Sequence, residues 1–320
     1  MNTLTRRELL AAASLSALAG TAAAQGGGLR PLRLVTTLAP GGSADGVARF
    51  LALKLPEVMK RAAFVDSRPG GNGIIGLRSV TSAPLNGDSV LVGGPSLIVV
   101  NPAVIPNLPY QPLTDLIPVA RLMRNSSALV VAADSPIRTF ADLVDVAKRK
   151  RLNYGAGSAS YQVMVERIKH AAGFEATAIP YKGTTPPLLD VIGGQLDFSP
   201  SELGAALGMV RQGKLRMIVT TGSTRAAEVP NVPTLLELGY KDLVLYGFLG
   251  LFYPTGVPEE RVKELGQAVN AVMRTPDALE FIRAQANEPW PATPDEFRQF
   301  IAREQEFTRT VVKAAGIRVE

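Results

Sequence analysis

Apolar and polar positions along this chain follow a repeating order of strand, glycine turn and helix. Leu32–Leu38 is an apolar run of strand length, closed by Pro40-Gly41-Gly42. Ser43 then stands before Ala44–Lys60, where Val47, Leu51 and Leu55 recur at the spacing of one helix face. Ala62–Asp66 predicts a second strand, Ile74–Ala83 a helix and Ser89–Val92 a third strand. A stretch with Pro102, Pro106, Pro109, Pro112 and Pro118 follows, and the pattern restarts. Ala128–Ala132 predicts a strand, and Thr139-Phe-Ala-Asp142 is a capping box opening a helix to Lys150. Strand Leu152–Tyr154 leads into Gly155-Ala-Gly157-Ser158 and a helix ending at His170. Strands at Thr177–Pro180, Leu196–Phe198 and Arg216–Thr220 complete this half.

Strands alternating with helices imply βαβ units and parallel pairing. The last third differs: Leu243–Phe252 is a long apolar segment, and then helices dominate. Pro258 and Thr275-Pro276 open two of them, and Thr293-Pro-Asp-Glu296 opens the last with a second capping box. Two α/β halves followed by a helical tail imply that the chain returns to complete its first half. The expected crossings lie near Arg124–Ser127 and Leu243–Gly247.

Composition removes many chemistries. The 320 residues include no cysteine and one histidine, His170, which excludes thiolate metal sites and a Cys nucleophile and makes a His-based triad improbable. His170 sits where a polar helix end is expected, and it is read as a surface residue. Gly71-Asn-Gly73-Ile-Ile-Gly76 fits the dinucleotide fingerprint, but the next strand ends Val92-Gly93-Gly94-Pro95 without the ribose-binding acid. A plain glycine turn is the better account. The net charge of +6 is scattered and aromatics are 6%, so no nucleic-acid surface is expected. Neither a cofactor nor a metal is expected.

Residues 1–24 read as a cleaved export signal. Arg6-Arg7 precedes an apolar Ala/Leu run too short for a membrane span, and Ala22-Ala23-Ala24 supplies the small residues of a cleavage site. Thr5-Arg-Arg-Glu-Leu-Leu10 also resembles a twin-arginine signal; an ordinary secretory signal with two adjacent arginines reads equally well. The mature chain is expected in the periplasm as a monomer.

Two turns remain that can do chemistry: Pro40-Gly41-Gly42-Ser43 in one half and Gly155-Ala-Gly157-Ser158 in the other. Each presents backbone N–H groups and a hydroxyl at a helix N-terminus, an arrangement that attracts anions. Alternatively, each merely joins a strand to a helix, with Ser43 and Ser158 as N-caps. One such turn in each half favours the anion site. Gly42 is expected to need both the open space and a backbone angle costly for other residues.

At this point the chain resembles the solute receptors of tripartite tricarboxylate transporters, the Bug-type receptors. The resemblance rests on Pro40-Gly-Gly-Ser-Ala-Asp45, Arg68-Pro-Gly-Gly-Asn-Gly-Ile-Ile-Gly76, Asn101-Pro-Ala with Leu108-Pro-Tyr110, and Leu152-Asn-Tyr-Gly155. Pro180-Tyr-Lys-Gly183, Gly193-Gly-Gln-Leu-Asp197 and Val232-Pro-Thr-Leu-Leu-Glu-Leu-Gly239 complete it. It implies a two-lobed periplasmic binding protein fold, type II-like, with two doubly wound α/β domains joined by a two-segment hinge. Residues 29–125 with 247–320 would form one lobe and residues 126–246 the other.

It further implies capture of a small carboxylate for membrane transporter subunits, without catalysis. Gly41, Gly42 and Ser43 would grip the ligand from one side and Gly157, Ser158, Ser160 and Tyr161 from the other, partly through ordered water. Asp197 looks like a cleft-facing acid, with support of a neighbouring loop as the equal alternative; Lys182 is a candidate cation. The family's usual histidine after the second turn is Tyr161 or Gln162 here, and Ser199-Pro-Ser-Glu202 replaces a more apolar stretch. The rival from another class is a carboxylate-processing enzyme using Asp197, Glu202 and Tyr161; a sensor that signals through its closed state is a third reading.

Overall fold

The computed structural model describes residues 30–38, 40–181 and 183–315. The export segment and Lys182 lie outside the described residues. Ten strands are assigned among those described: β1 (Leu32–Thr36), β2 (Ala63–Ser67), β3 (Ser89–Gly93), β4 (Leu116–Ala132), β5 (Leu152–Ala156), β6 (Ala176–Pro180), β7 (Ser199–Glu202), β8 (Leu215–Thr220), β9 (Tyr246–Pro254) and β10 (Asn287–Pro289).

β1 pairs in parallel with β2 and β3, as the strand–helix alternation predicts. The return segment adds β9 antiparallel to β3, so the sheet is mixed. β4 is the long member, 17 residues. Its Leu116–Ser126 part pairs with β9, and Asn125, Arg124 and Met123 pair with β10. From Ser127 onward it changes partners, pairing with β7 and β8. One strand therefore serves both halves. The prolines hide its first part from a sequence reading. Pro118 is tolerated because the register against β9 shifts between Pro118 and Ala120, where a ladder donor is dispensable.

Each half is a sheet with helices on both faces. Helix Ser43–Met59 and helix Glu259–Met273 bury Leu51, Leu55, Leu265 and Val269 against one face of the first sheet. Helix Ile74–Thr81 and the last helix, Pro294–Ala315, cover the other through Leu77, Val80, Phe297 and Ile301. In the second half, helices Phe140–Arg149 and Ala159–Ala172 pack Leu143 and Val165 on one face. Helices Thr185–Ile192 and Leu203–Arg211 pack Leu188 and Ala206 on the other. The capping box predicted at Thr139 and Asp142 is present, both bonds made.

Candidate functional site

Four strand ends converge where the two halves face each other. β1 runs out into the Pro40–Ser43 turn and β3 into Gly94–Ser96; on the other side β5 runs out into Gly157–Ser160 and β7 ends at Glu202. β1 and β3 are parallel neighbours. β5 and β7 are linked by a parallel Tyr154–Phe198 bridge and by the Gly155 N–H donating to Phe198 O at 3.3 Å. In open α/β sheets this carboxyl-end side is where ligands sit. Among the described residues, two side-chain hydrogen bonds cross between the halves. The Ser43 hydroxyl donates to Glu202 Oε2 at 3.0 Å, and the Ser96 and Ser160 hydroxyls meet at 2.8 Å.

The first turn is held from behind. Asp45 is buried, and its Oδ2 accepts from the Gly41 N–H at 3.1 Å and from Arg49 Nε at 2.8 Å. The Arg49 guanidinium, against the opposing effect of burial, keeps the Asp45 carboxyl below its ordinary range. The glycine-only backbone angle expected at Gly42 belongs instead to Gly41, with φ +91°. Gly42 is extended, φ −85° and ψ 175°, an angle open to any residue. What Gly42 contributes is space, because a Cβ there would meet no atom within 4 Å. Ser43 is not the N-cap: Gly42 holds that position, and the Ser43 hydroxyl reaches across to Glu202.

The second turn is built by close approach. A Cβ on Gly157 would lie 2.5 Å from Gly183 O, and the Gly183 N–H donates to Gly157 O at 3.1 Å. Ser158 occupies the N-cap position of helix Ala159–Ala172, yet its hydroxyl makes no capping bond. Both helices facing the junction therefore start without a side-chain acceptor for their first N–H groups, which leaves donors for an anion. The helices at Leu203 and Glu259 also start uncapped. Openness alone therefore does not single out the two turns; their opposition across the junction does.

Tyr161 and Glu202 come together. Ser127 and the Glu202 backbone lie against the Tyr161 phenol oxygen, and burial, followed by the Glu202 charge, raises its pKa well above the ordinary value. Burial also raises the Glu202 carboxyl, with the Ser43 hydrogen bond acting the other way. Asp197 does not join them. It precedes β7 rather than ending a strand, and its Oδ1 accepts from Lys150 Nζ at 3.0 Å. Its Oδ2 accepts from the Asn153 N–H at 2.7 Å, at the opposite end of β5 from Gly157. Four residues of strand place it about 13 Å from the turn. The cleft-facing role the resemblance implied is corrected to the supporting one. Asp197→Ala should thus cost about 1–2 kcal/mol in chemical denaturation, since it strips a charged acceptor from the β5 edge, while ligand affinity stays within twofold.

His170 is exposed in the last turn of its helix, as expected. The glycines of the fingerprint form a turn with positive φ from Gly70 to Gly73, and a Cβ on Gly76 would strike Thr37. Ser96 was not foreseen. Its signal was present, because Gly93-Gly94-Pro95-Ser96 is a third strand-to-glycine exit of the same kind.

The chain matches the family model described as the tripartite tricarboxylate transporter family receptor over residues 47–317. It is 28% identical over 296 residues to protein BugT of Bordetella pertussis, covering 91% of each chain. Among solved structures it is similar to R. palustris Rpa4515 with adipate, at 28% identity and a TM-score of 0.84, covering 90% of this chain and 98% of that one. It is also similar to MatC from Rhodopseudomonas palustris with bound malate, at 25% identity and a TM-score of 0.80, covering 89% and 99%.

Proposed function

We propose, since this chain belongs to the tripartite tricarboxylate transporter receptor family, that it is a periplasmic receptor which captures a small organic carboxylate and delivers it to a membrane transporter. The observation that carries this reading is the opposition of two uncapped helix N-termini, one from each half, across a junction spanned by two hydrogen bonds. A carboxylate entering there exchanges water for backbone N–H groups from both halves, and charge-assisted bonds of that kind are the strong ones. Adipate and malate, held by the similar Rpa4515 and MatC structures, belong to this ligand class.

In this reading residues 29–125 with 247–320 move as one body and residues 126–246 as the other, with Arg124–Ser127 of β4 and the Leu243–Gly247 segment as the hinge. Export follows cleavage after Ala24. The protein works as a monomer without cofactor or metal and turns nothing over. A carboxylate incubated with it is recovered unchanged, and conversion to product would favour the enzymatic alternative.

Thermal shift of the mature protein against a carboxylate panel that includes adipate and malate tests the reading. A ligand at 1,000 times its Kd adds roughly 4 kcal/mol of stability. Gly42→Val should lose this shift while retaining the wild-type melting temperature without ligand, because the new side chain fills ligand space and strains no backbone angle. His170→Ala should retain it. Loss in His170→Ala with retention in Gly42→Val would move the site elsewhere.

A further inference from the structure

Helix Ala159–Ala172 of the second half turns one stripe of side chains toward the first half. Ala159, Val163 and Arg167 follow at four-residue spacing, which places them along a single helix face. Val163 is buried in the first half's cluster with Leu97, Val100 and Ile301, and Ala159 packs against that cluster. Ser160, beside Ala159, meets Ser96 at 2.8 Å. Arg167 ends the stripe. Its guanidinium carbon lies 3.9 Å from the centre of the Phe307 ring, on helix Pro294–Ala315 of the first half. A rotation that separates Ser160 from Ser96 carries Val163 and Arg167 with it, because all three sit on one helix.

Arg167 does not fit the apolar pattern of its stripe. Its Nε is buried without a hydrogen-bond partner, and its Nη2 reaches only the Asp242 carbonyl oxygen, at 3.4 Å. Glu304, one turn before Phe307, attracts it, yet among the described residues no ion pair includes either group. Burial lowers the Arg167 pKa to about 10 and raises that of Glu304 against the pull of Arg167 and Arg303. Arg124 shows the satisfied form of the same contact: it lies 4.1 Å over the Tyr246 ring while Glu288 holds it at 2.6 Å. A charge that loses water without gaining a close partner disfavours the arrangement that buries it, and the ring face offsets only part of that cost.

We propose that Arg167 is a brake on closure: bringing the halves together covers its guanidinium without pairing it, and this keeps the separated arrangement populated. The inference rests on the reading of the chain as two moving bodies and on no particular ligand. Val163 and Ala159 favour the closed arrangement, and Arg167, on the same face, opposes it. The balance lowers apparent affinity in proportion to the closed fraction and eases release of whatever the junction holds.

The chain has no cysteine, so Ser96→Cys with Ser160→Cys places one thiol in each half and no others. Their hydroxyls already touch, and sulfurs in their place can bond when the halves meet. The rate of disulfide formation in a fixed oxidised-glutathione buffer, without ligand, then reads how often closure occurs. Arg167→Met keeps the length and helix preference of the side chain and removes its charge. Added to the cysteine pair, it should raise the rate threefold or more, whereas Val163→Ser, which weakens the apolar part of the stripe, should lower it. Unchanged reactivity of each single cysteine toward a small disulfide reagent, and a melting temperature no lower than that of the cysteine pair alone, confirm that the change lies in closure. An equal or slower rate in Arg167→Met, with a slower rate in Val163→Ser, overturns the brake and leaves the two-body reading standing. The same rate in all three proteins, or no disulfide in any, overturns both.

Discussion

Alanine at Gly157 is expected to abolish ligand binding and to cost the second half about 1–3 kcal/mol, the range for overpacking a filled site. A single added carbon is enough because everything it meets is backbone. The new Cβ would lie 2.5 Å from Gly183 O, 2.9 Å from Gly183 C and 3.0 Å from Thr184 Cα. No side chain stands there to rotate away. The segment after β6 must retreat by roughly 0.5–1 Å, beyond the tolerance of about 0.5 Å within which a binding constellation stays productive. Retreat also strains the Gly183 N–H bond to Gly157 O. Urea denaturation gives the stability change and calorimetry the binding loss. Wild-type affinity in Gly157→Ala would show that the second turn does not hold the ligand.

Alanine at Gly204 should separate folding from closure. Gly204 lies in the first turn of helix Leu203–Arg211, with a backbone angle any residue accepts, and alanine there favours the helix by up to about 1 kcal/mol. Its Cβ, however, would press on the carbonyl oxygen of Gln285, which belongs to the opposite half at the end of helix Pro276–Ala284. Each half should therefore fold as well as before, while the arrangement that brings Ser43 onto Glu202 is disfavoured. With about 1–3 kcal/mol set against the closed state, the apparent affinity should fall about 10- to 100-fold. Solution scattering should find a radius that ligand no longer contracts. Wild-type affinity together with wild-type contraction would place the Gly204–Gln285 contact outside the closing motion.

Much of the fold is readable locally. Turns and caps act within four residues, so Pro40-Gly-Gly, Thr139-x-x-Asp142 and Thr293-x-x-Glu296 announce elements that the structure contains. The order of strands and helices, the exposed His170 and the exclusion of thiolate chemistry follow from pattern and composition in the same way. Gly41 and Gly42 show the limit of that reading. Two adjacent glycines mark a turn, but which one takes positive φ and which one keeps space open depends on what surrounds them.

The remainder was decided by contacts between distant parts of the chain. The first part of β4 reads as a proline-rich connection, apart from the strand at Ala128–Ala132, until β9 comes to pair with it. Asp197 reads equally well as a ligand-facing acid or as support for a neighbouring loop until Lys150 and the Asn153 N–H take its oxygens. Ser43 meets Glu202 across 159 positions, and Ser96 meets Ser160 across 64. No periodicity encodes such pairs, because a residue's neighbours in sequence do not determine which strand end will stand opposite. The sequence by itself therefore determined two α/β halves, each with a glycine turn suited to an anion. Only the tertiary structure, by bringing four strand ends to one junction, decided which side chains face one another across it and left an acid among them.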